Sequence, residues 1–167
     1  MNRCASCGAN LSASERVCSY CGAQNPAYRP PVDEVNALLE QGLKAFQQEQ
    51  YALAIDCYRQ AIEHDPNIFD AYFYLAESLH LLGREQEALE AMKMAQTIRP
   101  GSAAVYYNLG MLCRRMGRDR EARKYLQAGL KRVNTDVMLQ DRQKMKQMLE
   151  EELDRLGKPR SFRGWTR

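Results

Sequence analysis

Residues 69–100 read FDAYFYLAESLHLLGREQEALEAMKMAQTIRP, and this stretch decides the fold. It holds two helical patterns broken at Gly83 and stopped at Pro100, where a helix cannot continue. Offset by 34 residues, the chain carries the same pattern on either side. Leu38 falls on Tyr72 and Tyr106, Gly42 on Ala76 and Gly110, Ala54 on Ala88 and Ala122, and Tyr58 on Met92 and Leu126. Small residues recur where two helices must approach closely, and large apolar ones recur where they interlock. Pro66 closes the first copy at the position Pro100 holds in the second.

The pattern predicts six helices over residues 32–134. In the first copy they run from a cap at Asp33 to about Gln48 and, after a turn at Glu49 and Gln50, from Tyr51 to about His64. The second copy predicts Phe69 to Leu82 and Glu85 to Ile98, with Gly83 between. The third predicts Ala103 to Met116 and Asp119 to Arg132, with Gly117 between. The first copy has Glu49 where the others have glycine. The third has Asn134 in place of proline and Gly129 in place of alanine, so its second helix is expected to fray. A single pair cannot bury its apolar face alone, and three copies are about the minimum that stands by itself.

In its period, small residues and terminating prolines this stretch resembles the tetratricopeptide repeat, in which antiparallel helix pairs stack into a curved ribbon. The resemblance implies an all-α, three-repeat solenoid whose first helices line a concave peptide-binding groove. It places Asn36, Leu39, Leu43 and Phe46 there from the first copy and Asp70, Phe73, Glu77 and His80 from the second. The third contributes Ala104, Tyr107, Met111 and Arg114. Apolar and aromatic at one end and basic at the other, such a groove suits an extended peptide or amphipathic helix with apolar anchors and an acidic end. Relatives that hold the acidic C-termini of heat-shock chaperones need lysines, an arginine and asparagines at set places. Leu39, Leu43, Tyr74 and Ala104 stand at four of them and only Asn108 is polar, which argues against that role.

Ahead of the repeats, Cys4-Ala-Ser-Cys7-Gly8 and Cys18-Ser-Tyr-Cys21-Gly22 duplicate a C-x-x-C-G motif. Each pair can grip a metal from one tight turn, and together they resemble a short zinc ribbon over residues 1–22 with Cys4, Cys7, Cys18 and Cys21 as ligands. Filled by four thiolates, the site has no position for substrate, so the expected Zn2+ is structural. Iron in a rubredoxin-like site is the alternative. Arg3 and Arg16 are placed to offset its negative charge, or are simply solvated. Residues 23–31, AQNPAYRPP, contain three prolines and predict a semi-rigid linker that holds the ribbon off the repeats.

After the repeats, residues 135–156 predict a capping helix that starts at Thr135 or Asp136, with Met138, Met145, Leu149, Leu153 and Leu156 on one stripe. A partner-binding coiled coil is the rival reading. Gly157 and Pro159 end it, and residues 157–167 form a basic tail with Phe162 and Trp165 among arginines. Charge is uneven along the chain. Residues 32–100 hold 5 basic and 12 acidic side chains, whereas residues 103–134 hold 8 basic and 2 acidic.

No run of 18 apolar residues exists, and the expected location is cytoplasmic. Cys57 and Cys113 stand singly and read as core residues, and neither His64 nor His80 has a visible catalytic partner. The chain is therefore expected to be a non-enzymatic adaptor that holds a protein or peptide partner, with the ribbon as a second contact module. A nucleic-acid-associated factor is the alternative, with Arg115, Arg118, Arg160, Arg163 and Trp165 as its contacts. In the dense basic run Arg114 to Lys124, a salt-bridged surface is favoured over a phosphate-binding patch. The sequence does not speak to oligomeric state.

Overall fold

The computed structural model describes residues 2–12, 15–26, 28 and 32–157, in two compact units, Met1–Ser78 and Leu79–Arg167. The first begins with a two-stranded antiparallel ribbon, β1 (Asn2–Arg3) and β2 (Asn10–Leu11), in the register Asn2↔Leu11 and Arg3↔Asn10. Helices α1 (Val32–Gln47) and α2 (Tyr51–His64) follow, then α3 (Phe69–Leu81), which runs across the division between the units. The second unit holds α4 (Glu85–Ile98), α5 (Ala103–Arg115), α6 (Asp119–Arg132) and α7 (Arg142–Gly157). No described helix is long and apolar enough to cross a membrane.

One turn joins the two helices of each pair. A residue with positive φ ends the first helix: Glu49 at 59°, Gly83 at 74° and Gly117 at 75°. The next N–H reaches back five residues, from Gln50 to the Ala45 carbonyl, Arg84 to Leu79 and Arg118 to Cys113, at 2.8–2.9 Å. This closes carbonyls the helix end would otherwise orphan. Gln50, Arg84 and Arg118 carry no side-chain cap, so the turn is held by backbone alone. Glycine fits its left-handed residue without penalty, whereas Glu49 adopts a conformation that L residues disfavour by about 1–2 kcal/mol. Before Pro66 and Pro100, Asp65 and Arg99 leave the helical region, as a residue preceding proline must.

Within a pair the small residues have a steric reason. A Cβ on Gly42 would lie 2.6 Å from the Tyr58 ring, and one on Gly110 would lie 2.7 Å from Leu126 Cγ and Cδ2. Tyr58 and Leu126 are among the most deeply buried side chains, so they have little room to retreat. Around these contacts Ala54, Ile55, Cys57 and Ala61 bury one face of α2, and Val105, Leu109, Leu112 and Cys113 bury one face of α5.

Three expectations are corrected. Helix α1 already includes Val32, so it starts ahead of the cap position expected at Asp33. Helix α6 continues through Gly129 to Arg132 without fraying. There the missing Cβ lets α7 approach, since a methyl would lie 2.9 Å from Leu149 Cδ2 and 3.2 Å from Tyr106 Cβ. The final helix starts at Arg142, not at Thr135 or Asp136, and Met138 is exposed in the connection. Asp141 Oδ1 accepts the Lys144 N–H at 2.8 Å and supplies the cap. Buried Asp136 serves another helix: its Oδ2 accepts the Ala103 N–H at 2.8 Å, satisfying the start of α5, where Ser102 makes no side-chain cap. Leu149 completes a core with Ala103, Leu126 and Val133, and Met145, Leu153 and Leu156 pack around it.

Candidate binding faces and a candidate metal centre

The duplicated cysteine motif folds as two matching turns. In the first, the Cys4 N–H donates to the Ala9 carbonyl and Gly8 N–H to Cys4; in the second, Cys18 donates to Ala23 and Gly22 to Cys18, all at 2.8–2.9 Å. Gly8 and Gly22 take positive φ, which turns the chain back beneath the sulfurs. The four sulfurs lie within 4.8 Å of one another, with Cys4–Cys21 at 3.5 Å and Cys7–Cys18 at 3.6 Å. A tetrahedral site with metal–sulfur bonds of about 2.3 Å has sulfur–sulfur edges of about 3.8 Å. All four are free thiols rather than disulfides, and the set could hold one metal ion.

Electrostatics point the same way. Amide N–H groups, that of Cys7 foremost and then Ser6, hold the Cys4 thiol down at about 6. Cys21 is pushed up to about 12: the Ala23 amide lowers it, and the neighbouring thiols of Cys7 and Cys4, with burial, outweigh that. Four sulfurs this close carry negative charge together only around a cation.

Contacts with the cysteine turns continue past residue 22. Gln24 bridges to Val17, and the buried Asn25 amide donates to the Ser12 and Glu15 carbonyls, each at 2.8 Å. Asn25 thus ties down the loop between the two turns, although its sequence context reads only as the start of a linker.

In the first unit, α1 and α3 present the predicted Leu39, Leu43, Phe46, Phe73 and Glu77. Leu43 is 38% exposed, and Leu39, Phe46 and Phe73 are half-buried. Phe46 and Phe73 belong to an aromatic cluster centred on Tyr74, with ring centroids at 5.9 and 5.6 Å from it, and Tyr58 stacks on Tyr74 at 6.0 Å. These rings therefore hold α1, α2 and α3 together while leaving part of their surface open. Beside them Leu39, Glu40, Leu43, Tyr58, Asp70 and Tyr74 line a pocket of about 310 Å3.

In the second unit the predicted side chains are more engaged. His80 Nδ1 lies 2.8 Å from Glu85 Oε2, and Glu85 Oε1 accepts from Arg115 Nε at 2.7 Å, linking the end of α3 to α4 and α5. Tyr107 packs on the Leu149 core, where burial and then the nearby Glu152 carboxylate push its phenol up. Met111 is half-buried. Arg114 Nη1 lies 2.6 Å from Oε2 of Glu152, a side chain of α7 that is only 3% exposed and that Arg155 also contacts. The basic end expected to receive an acidic ligand terminus is thus already neutralised from within. Glu152 gave no signal in the sequence, because a glutamate on a polar helix face reads as solvated.

Two further arginines of the basic run make neutral contacts: Arg118 reaches Gln86 at 3.4 Å and Arg123 donates to the Leu156 carbonyl at 3.2 Å. The ion pairs expected of a salt-bridged surface are those of Arg114 with Glu152 and Arg115 with Glu85. Cys57 and Cys113 are buried. Arg160, Arg163 and Trp165 lie outside the described residues.

The fold has known counterparts. Two models described as tetratricopeptide repeat match residues 39–103 and 103–132. A Protein STIP1 homolog of Dictyostelium discoideum is 35% identical over 101 residues, 60% of this chain; the match spans 18% of that relative's length. Among solved structures, the first TPR of Spaghetti (RPAP3), bound to the HSP90 peptide SRMEEVD, superimposes with a TM-score of 0.65 at 20% identity. The superposition covers 76% of this chain and 93% of that one. PcrH, in complex with the chaperone binding region of PopD, superimposes with a TM-score of 0.71 at 11% identity, covering 76% and 93%. Matched over residues 39–132, more than half of its 167, this chain belongs to the tetratricopeptide-repeat family.

Proposed function

We propose that this protein is a non-enzymatic adaptor whose first helices hold a peptide segment of a partner protein. The observation that carries this reading is the half-open apolar and aromatic surface on α1 and α3, where Leu39, Leu43, Phe46 and Phe73 keep area in solvent that a partner's side chains would cover. Peptides bound to the similar folds of Spaghetti and PcrH support it. The acidic peptide of the former is not the expected ligand class. Leu39, Leu43 and Tyr74 replace the polar residues such a peptide needs, and Arg114 is paired with Glu152. The cysteine turns are read as a structural zinc site, closed to substrate, that folds residues 2–25 into a second module. The arginine pairings favour this reading over nucleic-acid binding.

Affinity capture with the full chain tests it. Leu43→Ala and Phe73→Ala should each lower recovery of a native partner several-fold. Leu43 is exposed enough that its loss leaves folding intact, so undiminished recovery by that variant would refute the reading.

A further inference from the structure

The pocket on the first unit has a chemistry of its own. Leu39 and Leu43 give it apolar walls, Tyr58 and Tyr74 aromatic ones that also carry hydroxyls, and Glu40 and Asp70 its carboxylates. No basic side chain lines it. Tyr58 is 1% exposed, yet its hydroxyl makes no hydrogen bond with any described residue. Leaving a buried hydroxyl unpaired costs about 1–3 kcal/mol, so one that lines a pocket calls for a partner from outside. Glu40 and Asp70 form no ion pair among the described residues, and both are exposed at the pocket. Around them, residues 32–78 hold nine acidic side chains against only Lys44 and Arg59.

We propose that this pocket is an arginine subsite: it takes the guanidinium of a partner peptide, which donates to the Tyr58 hydroxyl oxygen and to the Glu40 and Asp70 carboxylates. The inference rests on the adaptor reading above and names the ligand chemistry of that surface. A guanidinium is planar and carries five N–H donors and no acceptor, which matches a pocket lined by four oxygen-bearing side chains, Tyr58, Tyr74, Glu40 and Asp70, and no basic one. Its aliphatic stem packs on Leu39 and Leu43, and its plane lies against the Tyr74 ring. A volume of about 310 Å3 suits one long side chain. Burial holds the Tyr58 phenol well above its ordinary range, with neighbouring Tyr74, Cys57 and Glu77 adding to the effect, so the hydroxyl is neutral and the attraction comes from the two carboxylates.

The test uses the immobilised full chain and three degenerate decapeptide pools that differ only in one fixed central residue: Arg, Lys or Glu. The Arg pool should be retained about ten-fold over the Glu pool, the effect of one charge-assisted hydrogen bond, with Lys between. Glu40→Gln with Asp70→Asn should bring the Arg-to-Glu ratio close to one. Tyr58→Phe should lower Arg retention several-fold while leaving the melting temperature unchanged or raised, since the lost hydroxyl has no partner in the free protein. A lowered melting temperature with unchanged Arg retention would make the hydroxyl structural and overturn the proposal. Equal retention of all pools, or preference for Glu, would overturn the subsite but leave the adaptor reading standing. Failure to retain any pool would count against the adaptor reading itself. Retention of the Arg pool only after removal of residues 158–167 would assign the pocket to the chain's own basic terminus instead of a partner.

Discussion

Gly110→Ala should destabilise the protein although alanine is the better helix former. In an open helix the exchange would gain about 0.8–1 kcal/mol. Here the new methyl would stand 2.7 Å from both Cγ and Cδ2 of Leu126 and 3.4 Å from the Ala122 carbonyl oxygen. Cγ is the branch point of a fully buried side chain, so relief requires α5 and α6 to move apart or Leu126 to leave its rotamer. Overpacking of this kind costs about 1–3 kcal/mol, which outweighs the propensity gain and leaves a net loss of about 1 kcal/mol. For a chain of this length that is a fall of about 2–4 °C in Tm, read by circular dichroism at 222 nm. The second copy carries Ala76 and Met92 at the corresponding positions, pairing the extra methyl with an unbranched side chain. Adding Leu126→Met to Gly110→Ala should therefore recover at least half of the loss. A rise in Tm for the single variant, or strict additivity in the double-mutant cycle, would refute the steric account.

Three further outcomes follow from single residues. Glu49→Gly should raise stability by about 1 kcal/mol, because φ at 59° is strained for glutamate and free for glycine; a fall in Tm would show a role for the side chain. Asp136→Ala should cost about 1–2 kcal/mol by orphaning the Ala103 N–H, measured by urea unfolding, whereas Asp141→Ala should fray α7 locally and cost less. Purified protein should carry one zinc per chain by elemental analysis, and Cys18→Ser should lose it while the 222 nm melting curve of the repeats is retained. Lowering the pH should weaken metal binding, since protons compete for the thiolates. Full metal retention by Cys18→Ser would contradict the four-sulfur site.

The repeats were legible because their signal is redundant: size and period agree at three copies and the stop prolines at two, and α2, α4 and α6 have their expected bounds. Turn chemistry was legible as well, with Glu49 taking the left-handed geometry of the glycines at its cost. Long-range satisfaction was not. Asp136 carries the chemistry of a helix cap, but sequence cannot say which helix start its carboxylate will meet, and it meets one 33 residues earlier. The cap of α7 was readable in Asp141 followed by Arg142-Gln143-Lys144, though the earlier acid drew the boundary too far forward. Gly129 looked like a weak helix position because its partner, Leu149, arrives from a later element. At the candidate site, the apolar residues of α1 and α3 could be placed by register. The neutralisation of Arg114 by Glu152 and the unpaired Tyr58 hydroxyl depend on how helices pack, which periodicity does not encode.

Photo-crosslinking tests the central claim most directly. A photoreactive residue replaces Leu43, 38% exposed on α1, or Leu53, 52% exposed on α2, in the full chain within the native cell. Both positions are open to solvent, so accessibility does not distinguish them. A discrete polypeptide joined at position 43 and absent at position 53 is the predicted result. Equal crosslinking at both, or capture at 53 alone, would contradict a partner held by the first helices.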